Sequence, residues 1–319
     1  MALHGLHACH RDAHYVVREG AIELLDEVTG RIAAGRVWSR GLHTVVALKE
    51  GLSPPDETDT VAQITFQRFF LRYWRVAGLS GTLREARAEL RGLLGAAVVR
   101  VPLHAPCRRQ ALPPRLFERA DVRWAAVCER VAALQAAGRP VLVGTDSVAD
   151  SQALSHQLQA AGIAHRVLNA LHDADEATIV AAAGRAGRVT VATRMAGRGT
   201  DIVLDAAARA AGGLHVLSCQ HNPSYRLDRQ LAGRAGRQGD PGSAETWFLP
   251  RFANSEVLGD VDKHGRWTYR QSWGAAWLIQ SARRWSQWRE DCRRATLRRE
   301  LLQQDRHWQR RLSFAGPPA

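Results

Sequence analysis

Lysine is almost missing from this chain of 319 residues: Lys49 and Lys263 stand beside 42 arginines. Among many alanines and glycines, that skew fits a GC-rich genome as readily as it fits phosphate contacts. Cysteine is sparse too. Cys9, Cys107, Cys128, Cys219 and Cys292 form an odd set with no Cys-x-x-Cys pair, which argues against a disulfide framework and a four-thiolate zinc site and for free thiols. No run approaches the roughly eighteen uninterrupted apolar residues that a membrane-spanning helix needs. The first fourteen residues carry several histidines and no apolar core, so they do not read as a secretory signal. These absences predict a cytoplasmic protein with at most peripheral contact to a membrane.

What is present is ordinary globular material, 45% hydrophobic and 24% charged, enough for two domains or for one with an appendage. The formal charge of +13 is uneven. Residues 261–319 hold 13 basic and 5 acidic side chains, so the excess sits mainly in the tail.

Pattern divides the chain into three regions, 1–95, 96–255 and 256–319. The first mixes a strand-like run at 22–25 with polar turns, a loop at 51–59 and an aromatic helical stretch at 66–74. In the second, short apolar strands at 141–145, 165–169, 189–193, 214–218 and 245–249 alternate with helical stretches at 146–161, 173–183 and 227–238. That alternation predicts right-handed crossovers and an α/β fold with a parallel sheet. In such sheets ligands bind where loops leave the carboxyl ends of the strands. The third region spaces Trp273, Trp277, Trp285, Trp288 and Cys292 helically, with arginines between. Its tryptophans are expected to pack a helix while its arginines stay in water.

Two glycine-rich arginine clusters carry chemistry. The first, Thr193-Arg194-Met195-Ala196-Gly197-Arg198-Gly199-Thr200-Asp201-Ile202, follows a strand. Gly197 and Gly199 let backbone approach a ligand closely, and Asp201 can accept from a sugar hydroxyl; a tight turn needing positive φ uses the same residues. The second contains Gln230-Leu231-Ala232-Gly233-Arg234-Ala235-Gly236-Arg237. Arg234 and Arg237, three apart, would share one helix face, and paired guanidiniums suit the charge that spreads over a γ-phosphate in transfer.

These clusters resemble motifs V and VI of superfamily 2 motor ATPases, and their wording resembles that of the SecA family, the bacterial preprotein translocase ATPases. Residues 195–202 (MAGRGTDI) and 233–242 (GRAGRQGDPG) are SecA-like in detail. So are the strand at 140–145, Val167-Leu168-Asn169-Ala170 and Gly212-Gly213-Leu214-His215-Val216. Upstream, residues 26–31, 41–43 and 49–51 resemble the return from the family's preprotein-binding domain, and 64–67 and 77–82 the stretch around motif III.

The resemblance implies a RecA-like second nucleotide-binding domain at 96–255. A remnant of the preprotein-binding hinge and the end of the first motor domain would precede it at 1–95, and a helical scaffold-like tail would follow at 256–319. By the same resemblance Gly197, Arg198, Gly199, Thr200 and Asp201 would line a nucleotide cleft, and Gln230, Arg234 and Arg237 would sense the γ-phosphate. Gly78, Ser80, Gly81 and Thr82 would couple nucleotide state to domain closure. ATP with Mg²⁺ is the implied cofactor, and preproteins and a SecYEG-type translocon are the implied partners. The chain departs from the family at Arg194, at Ala232 and at Ser218-Cys219-Gln220-His221-Asn222.

A phosphate-binding loop needs Gly-Lys-Ser/Thr, and neither lysine supplies it: Lys49 follows leucine and Lys263 follows aspartate. Ile22-Glu23-Leu24-Leu25-Asp26-Glu27 mimics a magnesium-holding strand end, but its register places it at the preprotein-domain hinge. The expectation is therefore half of an ATP site: either a separate polypeptide supplies the P-loop half and the Mg²⁺ ligands in trans, or the chain is a fragment or a degenerate paralogue. A non-catalytic interaction module and a nucleic-acid helicase fragment are the competing readings, with nucleic acid the less favoured partner. His4, His7, Cys9 and His10 read as solvated side chains, not as a metal site.

Overall fold

A computed structural model describes residues 2–26, 32–33, 35–39, 41–54, 63–117, 119–169, 176–193, 201–249, 260–261, 267–268 and 273–312. Helix α1 (Ala2–His7) leads into the hairpin of β1 (Tyr15–Arg18) and β2 (Ala21–Leu24), followed by α2 (Leu42–Lys49). Short helices α3 (Phe66–Phe70) and α4 (Arg87–Leu94) come next, then β3 (Arg108–Ala111) and β4 (Arg115–Leu116). A regular alternation follows: α5 (Ala120–Ala136), β5 (Val141–Gly144), α6 (Val148–Ala160), β6 (Arg166–Leu168), α7 (Glu176–Ala182) and β7 (Val189–Ala192). It continues through α8 (Ala206–Ala210), β8 (Leu214–Ser218), α9 (Tyr225–Ala232) and β9 (Pro241–Phe248), and a long helix, α10 (Trp273–Leu312), comes last.

Contacts divide the chain into two compact units. One holds Met1–Glu57, His104–His221 and Leu231–Ala276; the other holds Thr58–Leu103, Asn222–Gln230 and Trp277–Ala319.

The first unit is built on a seven-stranded sheet in the order β3-β9-β8-β5-β7-β6, with β4 also beside β9, and every pairing is parallel. Helices cover both faces, so β5, β7 and β8 are buried at every position. Alternation still sorts their side chains. Val141, Val143, Val189 and Val191 pack with Val127 and Val131 of α5 and Leu154 and Leu158 of α6, whereas Leu142, Ala192 and Val216 join Val180 of α7 and Ala208 of α8. The local signals act as their chemistry dictates. Ser147 caps α6 by accepting from the Asp150 amide, and Gly162, at φ +70°, terminates it. A smaller core of Cys9, Tyr15, Ile22, Leu24, Leu42 and Val46 joins the hairpin to α1 and α2. The magnesium-strand mimic lies in this antiparallel hairpin, where Asp26 pairs with Arg36.

Two expectations fail in instructive ways. The helix expected over 227–238 ends at Ala232, because Gly236, Gln238 and Gly239 all take positive φ, which no helix tolerates. Arg234 and Arg237 therefore do not share a helix face. The strand expected at 245 begins at Pro241 instead. Neighbouring glycines, not β propensity, allow that start: a Cβ on Gly213 would lie 1.9 Å from the Pro241 carbonyl oxygen.

The second unit is helical. In it α10 turns a polar face inward. Arg283 and Gln287 bond Asp228, Asp291 accepts from Ser224, Arg298 grips Glu89 through both carboxylate oxygens, and Asp305 accepts from Thr65 and Arg68. Trp285, Trp288 and Trp308 are exposed. The expected arrangement is thus inverted for these three tryptophans, because the residues α10 meets within its unit are themselves polar or charged. Trp273 and Trp277 lie at positions whose side chains are not among those described.

Candidate functional site

Of the first cluster, Gly197, Arg198, Gly199 and Thr200 lie outside the described residues, while Asp201 lies within them. The segment leaves the carboxyl end of β7 at Thr193, a buried residue whose hydroxyl has no partner among the described residues. It reaches Asp205, which caps α8 by accepting from the Ala208 amide. Asp201 accepts from Arg237 Nη1 at 2.8 Å, and Arg237 Nε donates to the Gly233 carbonyl at 2.9 Å. Both partners of the pair are half-exposed. Arg234 is half-buried on the same turn.

The turn that carries these arginines runs into the amino end of β9, and Gly236 packs against the Arg109 backbone of β3. The cluster therefore does not rise from the carboxyl rim of the sheet. It is held beside the segment that connects β7 to α8.

The carboxyl rim is largely satisfied from within. Gln220 Nε2 donates to the Thr145 carbonyl at 3.0 Å, and both Asp146 oxygens accept the His221 amide at 2.8 and 2.9 Å. A Cβ on Gly144 would meet Leu231 Cδ2 at 2.6 Å. The departures at 218–222 thus supply part of this closure, which sequence reasoning missed. Its one legible signal was an aspartate placed directly after a buried strand.

In the helical unit, Gln230 Nε2 donates to Thr82 Oγ1 at 3.1 Å, and Thr82 lies 3.2 Å from the Ser80 hydroxyl. Arg229 donates to the Gly81 carbonyl at 2.9 Å and pairs with Glu85. Three of the four expected coupling residues, Ser80, Gly81 and Thr82, therefore gather around the face of α9 that bears Gln230 and Arg229. Gly78 has nothing within 4 Å of where a Cβ would be. Arg229 and Glu85 were not expected, since nothing in their sequence context separates them from solvated charges.

Within the first unit, buried His215, Ser243 and Glu245 form a network with half-buried Arg130. Glu245 accepts from Arg130 Nε and from His215 Nε2, each at 2.9 Å, and His215 Nδ1 lies 2.8 Å from Ser243 Oγ, which also accepts from Arg139. Burial alone would raise the Glu245 carboxyl, but its hydrogen bonds and neighbouring cations outweigh that and hold it at about 2. Burial pushes the imidazole of His215 below its ordinary value. An ionised Glu245 only accepts, so His215 is neutral with its proton on Nε2. Among the described residues no three His, Cys, Asp or Glu side chains form a metal site.

A doubly covered, all-parallel sheet with this alternation is an α/β domain. Residues 106–210 and 205–250 match the SecA P-loop domain, and residues 1–47 match the SecA preprotein cross-linking domain, together more than half of the chain. The protein translocase subunit SecA 2 of Bordetella avium is 42% identical over 99% of this chain and 48% of its own length. SecA 2 of Nitrosospira multiformis is 48% identical over 74% of this chain and 35% of its own. SecA 3 of Magnetococcus marinus is 41% identical over 99% and 48%. The chain belongs to the SecA family, and it spans about half or less of the length of these relatives. Among solved structures, S. cerevisiae Dbp5 bound to RNA and ADP BeF3 aligns with 70% of this chain and 54% of its own, at 15% identity and a TM-score of 0.43.

Proposed function

We propose that this chain supplies the arginine-bearing half of the ATP site in a protein-translocating motor, and that a separate P-loop-bearing polypeptide supplies the other half. The observation that carries the reading is the Arg237–Asp201 pair. It joins two glycine-rich segments 36 residues apart, and it leaves a half-exposed guanidinium free to exchange a carboxylate for a phosphate. Gln230, tied to Thr82, supports the coupling role proposed for 78–82. The donor set fits phosphate oxygens. It does not fit Mg²⁺, since the sequence offers no Gly-Lys-Ser/Thr and Asp201 is engaged by a cation. When bound, Mg-ATP would supply the phosphoryl group whose charge Arg237, with Arg234 and Gln230, stabilises.

On this reading residues 96–255 are the second motor domain, 1–95 the end of the preceding ones, and 256–319 a scaffold helix. The cargo would be preproteins, handed to a SecYEG-type translocon at the inner face of the plasma membrane, with the chain cytoplasmic or peripheral there. The test is ATP turnover by this chain alone and mixed with the part of the Bordetella avium relative that it does not span. Turnover is expected only in the mixture, and Arg237→Ala should lower it by about 10³-fold. Background turnover in both settings would remove the motor reading. The exposed apolar surface of the helical unit would then favour a non-catalytic interaction module.

A further inference from the structure

The turn that bears Arg234 and Arg237 is seated on the sheet by glycine. A Cβ on Gly242 of β9 would meet the Gly236 amide nitrogen at 2.8 Å, Ala235 Cβ at 3.1 Å and the Leu214 carbonyl oxygen of β8 at 3.1 Å. The turn therefore rests on the amino ends of β8 and β9, and any shear between those strands is passed to it.

Arg139 spans that joint. It lies between Gly138 and Pro140, two residues before β5, at the amino end of the sheet. Its Nε donates to the Gly213 carbonyl at 3.1 Å, and its Nη2 donates to the Gly212 carbonyl at 3.0 Å and to Ser243 Oγ at 2.9 Å. Gly212 and Gly213 lead into β8, and Ser243 belongs to β9, so one planar fork holds both strands beside Gly242. A guanidinium can do this because its donors are fixed relative to one another; an ammonium group offers no such fork.

The tie also has a direction. Arginine only donates, so Ser243 Oγ accepts from Arg139 and turns its own hydrogen to His215 Nδ1. His215, with its proton on Nε2, donates in the same sense to Glu245, which Arg130 of α5 also holds. Ser243, His215 and Glu245 are buried, so none can turn without leaving a polar atom unpaired. Arg209 and Arg109 also bond the turn, at Asp240 and at the Ala235 carbonyl, but neither joins β8 to β9.

We propose that Arg139 is a positioning residue for the phosphate-facing arginines: by clamping β8 to β9 at their amino ends, it fixes where the turn holds Arg234 and Arg237. The inference rests on the motor reading above and adds the residue through which that half-site is held in place. A misplacement of about 1 Å can cost about a hundredfold in rate, so a side chain remote from the nucleotide can still govern turnover.

The test uses the intact chain mixed with the unspanned part of the Bordetella avium relative. Arg139→Lys keeps the charge and loses the fork. It should lower kcat by about tenfold and leave KM for Mg-ATP and the affinity of the two polypeptides unchanged. In an Arg237→Ala background the same substitution should cost less than about twofold, because the group it positions is gone. Ser243→Ala, which keeps both carbonyl ties, should act in the same way by about threefold. Gln135→Ala is the control. It frees the Ala164 and Gly187 carbonyls on the β7 side of β5, away from the turn, and should leave kcat unchanged.

Hydrogen exchange in the chain alone gives a readout apart from turnover. The amides of Arg234, Ala235 and Asp240 are bonded within the turn or to the end of α9. They should exchange about tenfold faster in Arg139→Lys and not in Gln135→Ala.

Losses that add fully in the Arg237→Ala background, or an equal loss of kcat in Gln135→Ala, overturn the positioning role. Should Arg139→Lys unfold the domain, Ser243→Ala decides by the same measurements. Background turnover by the unaltered mixture fails the motor reading alone. Faster exchange of the turn in Arg139→Lys then still upholds the clamp, and unchanged exchange overturns it.

Discussion

At the scale of single residues, Gly213 is held by two independent constraints. Its φ is +73°, and a Cβ would lie 1.9 Å from the Pro241 carbonyl oxygen. Gly213→Ala should therefore cost about 3 kcal/mol or more, since both strain and overlap fall on the β8–β9 ladder. Urea unfolding measures it, and a loss under about 1 kcal/mol would contradict the close approach. Arg237 and Asp201 pose the opposite case. Their pair is half-exposed, so Asp201→Asn should change stability by less than about 1 kcal/mol. It should also release Arg237 from its resting partner, and the mixture with a P-loop half should bind Mg-ATP with unchanged or higher affinity. A marked loss of affinity would mean that Asp201 contacts the nucleotide itself. Both glycine and arginine positions were visible in the sequence. Their partners were not, because Asp201 and Arg237 meet only after the chain has built β8 and two helices between them.

At the scale of elements, helix ends were read well where caps are local and badly where glycines intervene. Ser147 and Gly162 bound α6 as their chemistry requires. The end of α9 depended on three residues with positive φ, and only glycine advertises that tendency. The long helix α10 shows a similar limit. Helical spacing of tryptophans was legible, but which face turns inward depends on what it meets, and Glu89, Asp228 and Thr65 favour its polar side. Asp305 accepts from the Thr65 amide and hydroxyl and from Arg68, so it anchors α3. Asp305→Ala should speed amide exchange in residues 66–70 by about tenfold and leave the sheet unchanged. Equal acceleration in β5 would show that α10 instead supports the whole chain.

At the scale of the whole molecule, acid should unfold this protein in two stages. His215 is held neutral by burial, so below about pH 6.5 the unfolded chain takes up a proton that the folded chain refuses, and stability falls as pH drops. Glu245, held at about 2 against an ordinary 4.5, contributes stability that is present above about pH 4.5 and is lost as pH falls toward 2. Urea midpoints between pH 8 and 3 test this, and a midpoint independent of pH would overturn the neutral His215 assignment. Nucleic-acid binding remains the rival use of the +13 charge. A helicase fragment would show RNA affinity falling steeply with salt, whereas the translocation reading expects weak binding with no nucleotide dependence. The sequence by itself determined the α/β alternation, the two arginine clusters and the family, because periodicity and motif are properties of neighbouring residues. Only the tertiary structure decided that the arginine turn enters the amino end of β9, that the carboxyl rim is bridged from within by Gln220 and Asp146, and that α10 shows Trp285, Trp288 and Trp308 to water. Each of those outcomes is set by what the rest of the chain brings, or fails to bring, within reach.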